Sequence, residues 1–368
     1  MHIKAEYVIG LVILVALTAG ALLALRAPAQ KVNSTATSTA SLTATEKARQ
    51  FQEAPEITGA SGYINTGGQP ITIAQFKGKK VILVDFWTYS CINCQRTLPY
   101  LKQWYEKYAD WGLEIIGIHT PEFAFEHDYG NVARAVAGFG LKYPVVLDNN
   151  YATWNAFGNQ YWPRKYLIDI DGYIVYDHAG EGNYDITETA IQRALAERAL
   201  RLGLSFATGT EAAPAGAVAI DPSQVQSPET YFGAARNEYV GNGTRGTVGT
   251  QKLTLPSSFA PNTLYLGGTW DFQSEYASNK TATAQIRFLY NAKNVYFVAS
   301  ASTPVKIKVA EDGRPLGANR GADVNADGEA TIQEDRLYKL IEGAAHGQHT
   351  IEIEIEGASL KAYTFTFG

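Results

Sequence analysis

The sequence predicts an α/β domain followed by an all-β antiparallel sandwich, with one apolar helix in front of both. Three observations carry that prediction. From Ile71 to Arg201, continuous apolar runs of strand length alternate with stretches of helical spacing, the pattern of a central sheet covered by helices. From residue 225 on, short runs alternate inward and outward residues between Gly, Asp and Asn turns, as an antiparallel sandwich does. Between them, "GLSFATGTEAAPAGAVAIDPSQ" (203–224) is rich in Gly, Ala and Pro and reads as a linker. A length of 368 residues suits two domains, and 46% apolar content suits two cores.

The first element is the apolar run Tyr7–Leu25, preceded by Lys4 and followed by Arg26. Its 19 residues of helix nearly span a hydrocarbon core of ~30 Å. Residues 1–26 therefore read as a signal anchor, a transmembrane helix, with cleavage at "APA" (27–29) as the alternative. The flanking positive charge keeps the short amino terminus inside and sends the rest of the chain out. Residues 27–53 read as a flexible tether, Ser/Thr/Ala-rich from Lys31 to Gln50 and without apolar periodicity. The expected location is the cytoplasmic or inner membrane, single-pass, with the body facing the periplasm or cell exterior. That side permits disulfides.

The α/β domain occupies 54–202. Its expected strands are 80–87, 113–119, 143–148 and a hairpin over 165–177 turned at Asp171-Gly172. Its expected helices are 98–109, 131–140 and 185–201, the last with Asp185 as N-cap and Glu188 three residues on. The sandwich occupies 225–368, with strands at 284–291, 294–302, 305–313, 349–357 and 361–368.

The net charge is −5 and there is no Lys/Arg block, which argues against nucleic-acid binding. The chemistry concentrates in "FWTYSCINCQRTLP", which holds the chain's two cysteines, Cys91 and Cys94. A structural disulfide over two intervening residues closes a tiny loop and stabilises little. A zinc site needs four ligands; with no second cysteine pair it would have to recruit His119 and His127. Haem attachment fails because Gln95, not His, follows Cys94. A redox pair needs what is present. Cys91 lies at a helix amino terminus, where unpaired N–H groups and the dipole favour its thiolate. Cys94, one turn on, is placed to attack a mixed disulfide formed by Cys91.

From about Ala54 to Arg201 the chain resembles the thioredoxin superfamily in its TlpA/ResA-like extracytoplasmic branch. "GGQPITIAQFKGKKVILVDFW" is similar to that branch's entry hairpin and first core strand, and Pro99 matches its active-helix proline. The resemblance implies a thioredoxin fold, with Asp85 as the buried proton-accepting acid. It also implies a cis bond before Pro163 of "YWPRKYLIDIDGYIV", with Trp162 and the Pro163 loop holding substrate backbone beside the disulfide. Ser90 stands where a Trp is usual, which alters the substrate surface next to Cys91. "CINC" and "IIGIHTPEFAFEHD" resemble the DipZ type more narrowly. So does the tail, with "YTFTFG", which is similar to that group's carbohydrate-binding-module-like sandwich, a jelly-roll, galactose-binding-like fold. DipZ proteins also carry a polytopic electron-transporting domain. This chain shows one apolar segment, so a separate membrane electron donor is implied.

Other residues read less sharply. "DVNADGEATIQE" matches a calcium-loop pattern with Asp323, Asn325, Asp327 and Glu334 at ligand positions, against an ordinary Asp-Gly hairpin. Trp270, Tyr276 and Tyr296 read as core, with a sugar-stacking platform as the alternative. His119 and Glu122 read as exposed loop residues near the thiols. The expected function is a membrane-anchored thiol–disulfide oxidoreductase, a reductase acting on protein disulfides through the Cys91–Cys94 disulfide with no other cofactor. The alternatives are a binding or adaptor protein whose sandwich recognises glycan or a partner, and a thiol peroxidase.

Overall fold

"VILVDFW" is apolar on both faces apart from one acid, so it belongs in the middle of a sheet covered on two sides. The computed structural model, which describes residues 44–368 except 208, 210, 211 and 219–221, has it there. The apolar run 7–25, the cleavage alternative at 27–29 and most of the tether lie outside the described residues. Among the described residues no helix is long and apolar enough to cross a membrane.

The first domain runs α1 (Ala44–Gln50), β1 (Gly62–Ile64), β2 (Val81–Trp87), α2 (Ile92–Tyr108), β3 (Leu113–His119), α3 (Tyr129–Phe139) and β4 (Val145–Leu147). It continues with α4 (Ala152–Ala156), β5 (Arg164–Ile168), β6 (Ile174–Ala179) and α5 (Tyr184–Leu202). The sheet order is β1-β4-β3-β2-β5-β6, with β2, β3 and β4 mutually parallel and the remaining pairings antiparallel. This is the thioredoxin-like fold. Side chains alternate across a strand. Ile82, Val84 and Phe86 therefore enter one core layer with Trp154 and Phe157. Val81, Leu83 and Trp87 enter the other, with Leu98, Leu101 and Cys94 of α2. The same alternation turns Asp85 toward Cys94.

The helix that carries the 98–109 spacing begins at Ile92, in keeping with Cys91 at a helix amino terminus: Cys91 caps it with extended φ −80°, ψ 118° and accepts from Cys94 N. One local expectation changes. α5 is not capped by Asp185. It starts at Tyr184 after Asn183 in the left-handed region, and Glu188 instead accepts from the Tyr108 hydroxyl (2.6 Å) and Lys107 (3.0 Å). α3 stops as expected at Gly140, whose φ of 67° costs glycine little.

The end of the tether is pinned. Lys47 on α1 is 2% exposed and its ammonium lies 2.5 Å from Asp169, 2.8 Å from Asp171 and 2.5 Å from Glu197. Burial alone would lower its pKa; the three carboxylates outweigh that and raise it. Asp169 follows the end of β5 remote from Pro163, so the chain enters the domain at the pole opposite Cys91. Lys47→Ala removes the buried cation these acids share, Asp171 keeping Arg201 at 2.9 Å, and is expected to cost about 3–5 kcal/mol. Denaturant unfolding of the full chain measures it; an unchanged midpoint for the first domain would show that α1 is not anchored there.

The second domain is one ten-stranded antiparallel sheet around a single core. Its strands are β7 (Thr230–Tyr231), β8 (Gly249–Leu253), β9 (Leu264–Phe272), β10 (Ala277–Asn279), β11 (Thr283–Ala301), β12 (Val305–Glu311), β13 (Arg314–Pro315), β14 (Glu329–Ile332), β15 (Arg336–Glu356) and β16 (Leu360–Phe367). The two strands expected over 284–291 and 294–302 are one, β11, which pairs β15 along its length with register shifts near Asn294 and Val295. The first half of β11 alternates in burial. From Val295 to Ala301 every residue is buried. Val295, Phe297 and Ala299 fill the sandwich core, while Tyr296 and Val298 pack with Ile92 and Phe123 of the first domain. The sandwich is thus docked directly beside the cysteine pair.

Candidate active site

Cys91 ends the loop after β2 and is partly exposed; Cys94, in the first turn of α2, is 1% exposed. Cys94 N donates to Cys91 Sγ at 3.3 Å. The two thiols therefore differ in access and in solvation. Burial first, then the hydrogen bond and charge of Cys91, push the Cys94 thiol well above its ordinary value. A thiol so placed needs a base before it can act as a thiolate.

The sheet places a carboxyl on the face beneath that thiol. Asp85 is fully buried, and its register partners are Lys165 on β5 and Gly117 on β3. All three lie on the face beneath Cys94, because Leu167, two residues from Lys165, enters the same core layer. Lys165 is 0% exposed, with Nζ 3.9 Å from Asp85 Oδ1 and 3.5 Å from the Gly180 carbonyl. At Gly117 a Cβ would come within 2.9 Å of Trp87 Nε1 and 3.3 Å of the Tyr143 ring, so only glycine fits beside the acid. Burial raises Asp85 to about 7, the nearby Lys165 acting in the opposite sense. Burial in turn lowers Lys165. A carboxyl that titrates near neutrality suits proton exchange with a buried thiol.

The Trp162–Pro163 peptide is cis, and β5 starts beside the Trp87 end of β2, where the loop to Cys91 begins. Trp162 is half-buried, packs tilted against Trp154 with ring centroids 4.3 Å apart and donates Nε1 to the Thr120 carbonyl at 3.0 Å. Ser90 is different. It is 1% exposed and its hydroxyl donates to Glu126 at 2.7 Å, so it serves the loop's own structure. Arg96, one turn after Cys91, grips Glu181 with two bonds of 2.8 and 2.7 Å, tying α2 to the loop after β6.

Several residues depart from their sequence readings. His119 is not an exposed loop residue. As the last residue of β3 it is 0% exposed, Tyr89 N donates to its Nε2 at 3.3 Å, and burial lowers it to about 3, keeping it neutral. Glu122 accepts at 2.8 Å from both Tyr231 and Arg236 of the sandwich. Trp270 is core and donates to the Gly267 carbonyl; Tyr276 and Tyr296 pack at the domain junction, so the three form no exposed platform. The calcium-pattern residues are not gathered as ligands: Asp323 and Glu334 both pair with Arg336, and Asn325 caps its own turn. Among the described residues, the acidic triad with ligand atoms within 4.8 Å of one another is Asp169, Asp171 and Glu197, and Lys47 sits in it. Lys165 and Glu126 were not singled out in the sequence. An isolated Lys in an apolar strand, "RKYLI", was the available signal for the first.

Residues 46–195 match the Redoxin family, and residues 227–368 match the thioredoxin-like C-terminal domain family. The chain belongs to the thioredoxin-like thiol–disulfide oxidoreductases. It is 31% identical over 146 residues to the thiol-disulfide oxidoreductase YkuV of Bacillus subtilis, covering 40% of this chain and 96% of YkuV. It is 32% identical over 136 residues to ResA of Bacillus thuringiensis, 37% of this chain and 73% of ResA. It is 37% identical over 318 residues to the protein DipZ of Mycobacterium tuberculosis, an alignment that includes the sandwich and takes in 86% of this chain. The chain spans 43% of the length of DipZ.

Proposed function

We propose that the protein is a membrane-anchored, extracytoplasmic reductase of protein disulfides. The observation that carries the reading is the pairing of an accessible, helix-capping Cys91 with a buried Cys94 that has Asp85 and Lys165 on the sheet face beneath it. In the reducing direction Cys91 thiolate attacks one sulfur of a substrate disulfide and expels the other as thiolate, leaving a mixed disulfide. Asp85 takes the proton of Cys94. Cys94 thiolate then attacks Cys91 Sγ, which forms the Cys91–Cys94 disulfide and releases the second substrate thiolate. Two electrons pass to the substrate, and a separate membrane protein restores the dithiol.

Burial of Ile92 under the sandwich restricts approach to Cys91. Substrate enters along the Trp162–Pro163 loop as an extended segment, paired in strand fashion to that backbone. The direction of electron flow is tested by equilibrating the full chain with dithiothreitol or glutathione buffers. A potential near that of thioredoxin, ~−270 mV, is expected; a value near ~−120 mV would make the protein an oxidant.

A further inference from the structure

Glu126 lies in the short helical turn between β3 and α3, is 0% exposed, and joins two loops. Its Oε1 accepts from Ser90 N at 3.2 Å and Ser90 Oγ at 2.7 Å. Its Oε2 accepts from Glu122 N at 2.6 Å and Phe123 N at 3.1 Å. Four donors converge on two oxygens, so both oxygens of the carboxyl are held from both loops. One loop is the residue directly before Cys91. The other is the segment the sandwich holds: Glu122 takes the Tyr231 hydroxyl and Arg236, Ala124 N donates to Glu275 Oε2 at 2.8 Å, and the Phe123 ring enters the junction cluster.

We propose that Glu126 is a positioning residue that sets the Ser90–Cys91 turn for exchange and couples it to the sandwich through Glu122. The physical route is short. Movement of the sandwich acts on the Glu122 side chain, hence on the Glu122 and Phe123 amides, hence on the one carboxylate that also fixes Ser90. Backbone placement at Cys91 decides whether the first helical N–H groups point at its sulfur and whether the sulfur faces an incoming disulfide in line. This role makes the sandwich part of how the site works while all thiol chemistry stays in the first domain. It rests on the reading of Cys91 as the attacking thiol.

The test is a double-mutant cycle on the full chain, read as the rate at which reduced protein reacts with the small disulfide 5,5′-dithiobis(2-nitrobenzoate). Glu126→Gln replaces one acceptor oxygen by a donor and is expected to slow Cys91 about tenfold or more, within the range that misplacement of a reacting group produces. Tyr231→Phe removes only the sandwich hydroxyl and is expected to slow it about threefold in the wild-type background and not at all in Glu126→Gln, as groups in one network do. Ser90→Ala, which keeps the carboxylate, gives an intermediate rate and holds the test open if Glu126→Gln does not fold. A Tyr231→Phe effect of equal size in both backgrounds would overturn the coupling. Wild-type rates in both Glu126→Gln and Ser90→Ala would overturn the positioning role. Peptide mapping of the first thiol modified separates these results from failure of the underlying reading: modification at Cys94 before Cys91 would sink both.

Discussion

Replacement of Cys91 by serine is expected to remove turnover of protein disulfides, by at least ~10³-fold, because the exchange has no other accessible thiol to begin it. Replacement of Cys94 has a different signature. Cys94→Ser keeps the exposed nucleophile and loses the resolver, so a mixed disulfide between Cys91 and the substrate should accumulate and survive non-reducing electrophoresis. The contrast follows from burial: Cys91 is partly exposed, and Cys94 is 1% exposed within the core layer that Asp85 faces. Isolation of the trapped adduct would also identify the substrate. An adduct that forms on Cys94 in Cys91→Ser at a comparable rate would reverse the assignment of the two thiols.

Asp85→Asn is expected to raise stability while slowing the second exchange step. Folding lifts Asp85 from an ordinary carboxylate value to about 7. Above pH ~4 the unfolded chain has lost this proton while the folded chain keeps it until about pH 7, so the native state binds the extra proton and stability falls across that window. The full fall is on the order of 4 kcal/mol by linkage. Asn cannot ionise, so the variant should lose this slope. At pH 8 it should be more stable than wild type by up to that amount, reduced by whatever the unpaired amide and the isolated Lys165 cost. Loss of the base should slow release of the mixed disulfide by ~10²-fold or more. Denaturant midpoints from pH 4 to 8, beside single-turnover release rates, measure both. A variant with the wild-type pH slope would remove Asp85 as the raised carboxyl.

These effects are large because the site stores an acid and a base where water does not reach. Neither Asp85 nor Lys165 would be tolerated at the centre of a sheet for stability alone. The same reasoning separates the two buried carboxylates near Cys91. Asp85 has an orphan oxygen and one distant cation, so it titrates within reach of neutral pH. Burial raises Glu126 as well, but four donors oppose that rise and hold it as a fixed joint.

The sequence by itself determined the elements whose signals are local. An apolar run without alternation fixed β2 as a central strand, two cysteines one turn apart marked a helix start, and the family resemblance of "YWPRKYLIDIDGYIV" pointed to the cis bond before Pro163. The strand period also put Asp85 and Lys165 within the fold, but it did not make them neighbours. That took the antiparallel register of β5 on β2, a contact across 80 residues of chain that no local pattern encodes. The exposed readings of His119 and Glu122 failed for the same reason, since burial there comes from Tyr89 and from the sandwich. One long-range feature did leave a trace. "VYFVASA", read as an alternating strand, carries Tyr296 and Val298 on its outer face, and both are buried against Ile92 and Phe123. The trace says that a partner covers the strand. Only the tertiary structure decides that the partner is the other domain of the same chain, docked one residue from Cys91, because docking depends on the shape and hydrogen bonding of two finished surfaces.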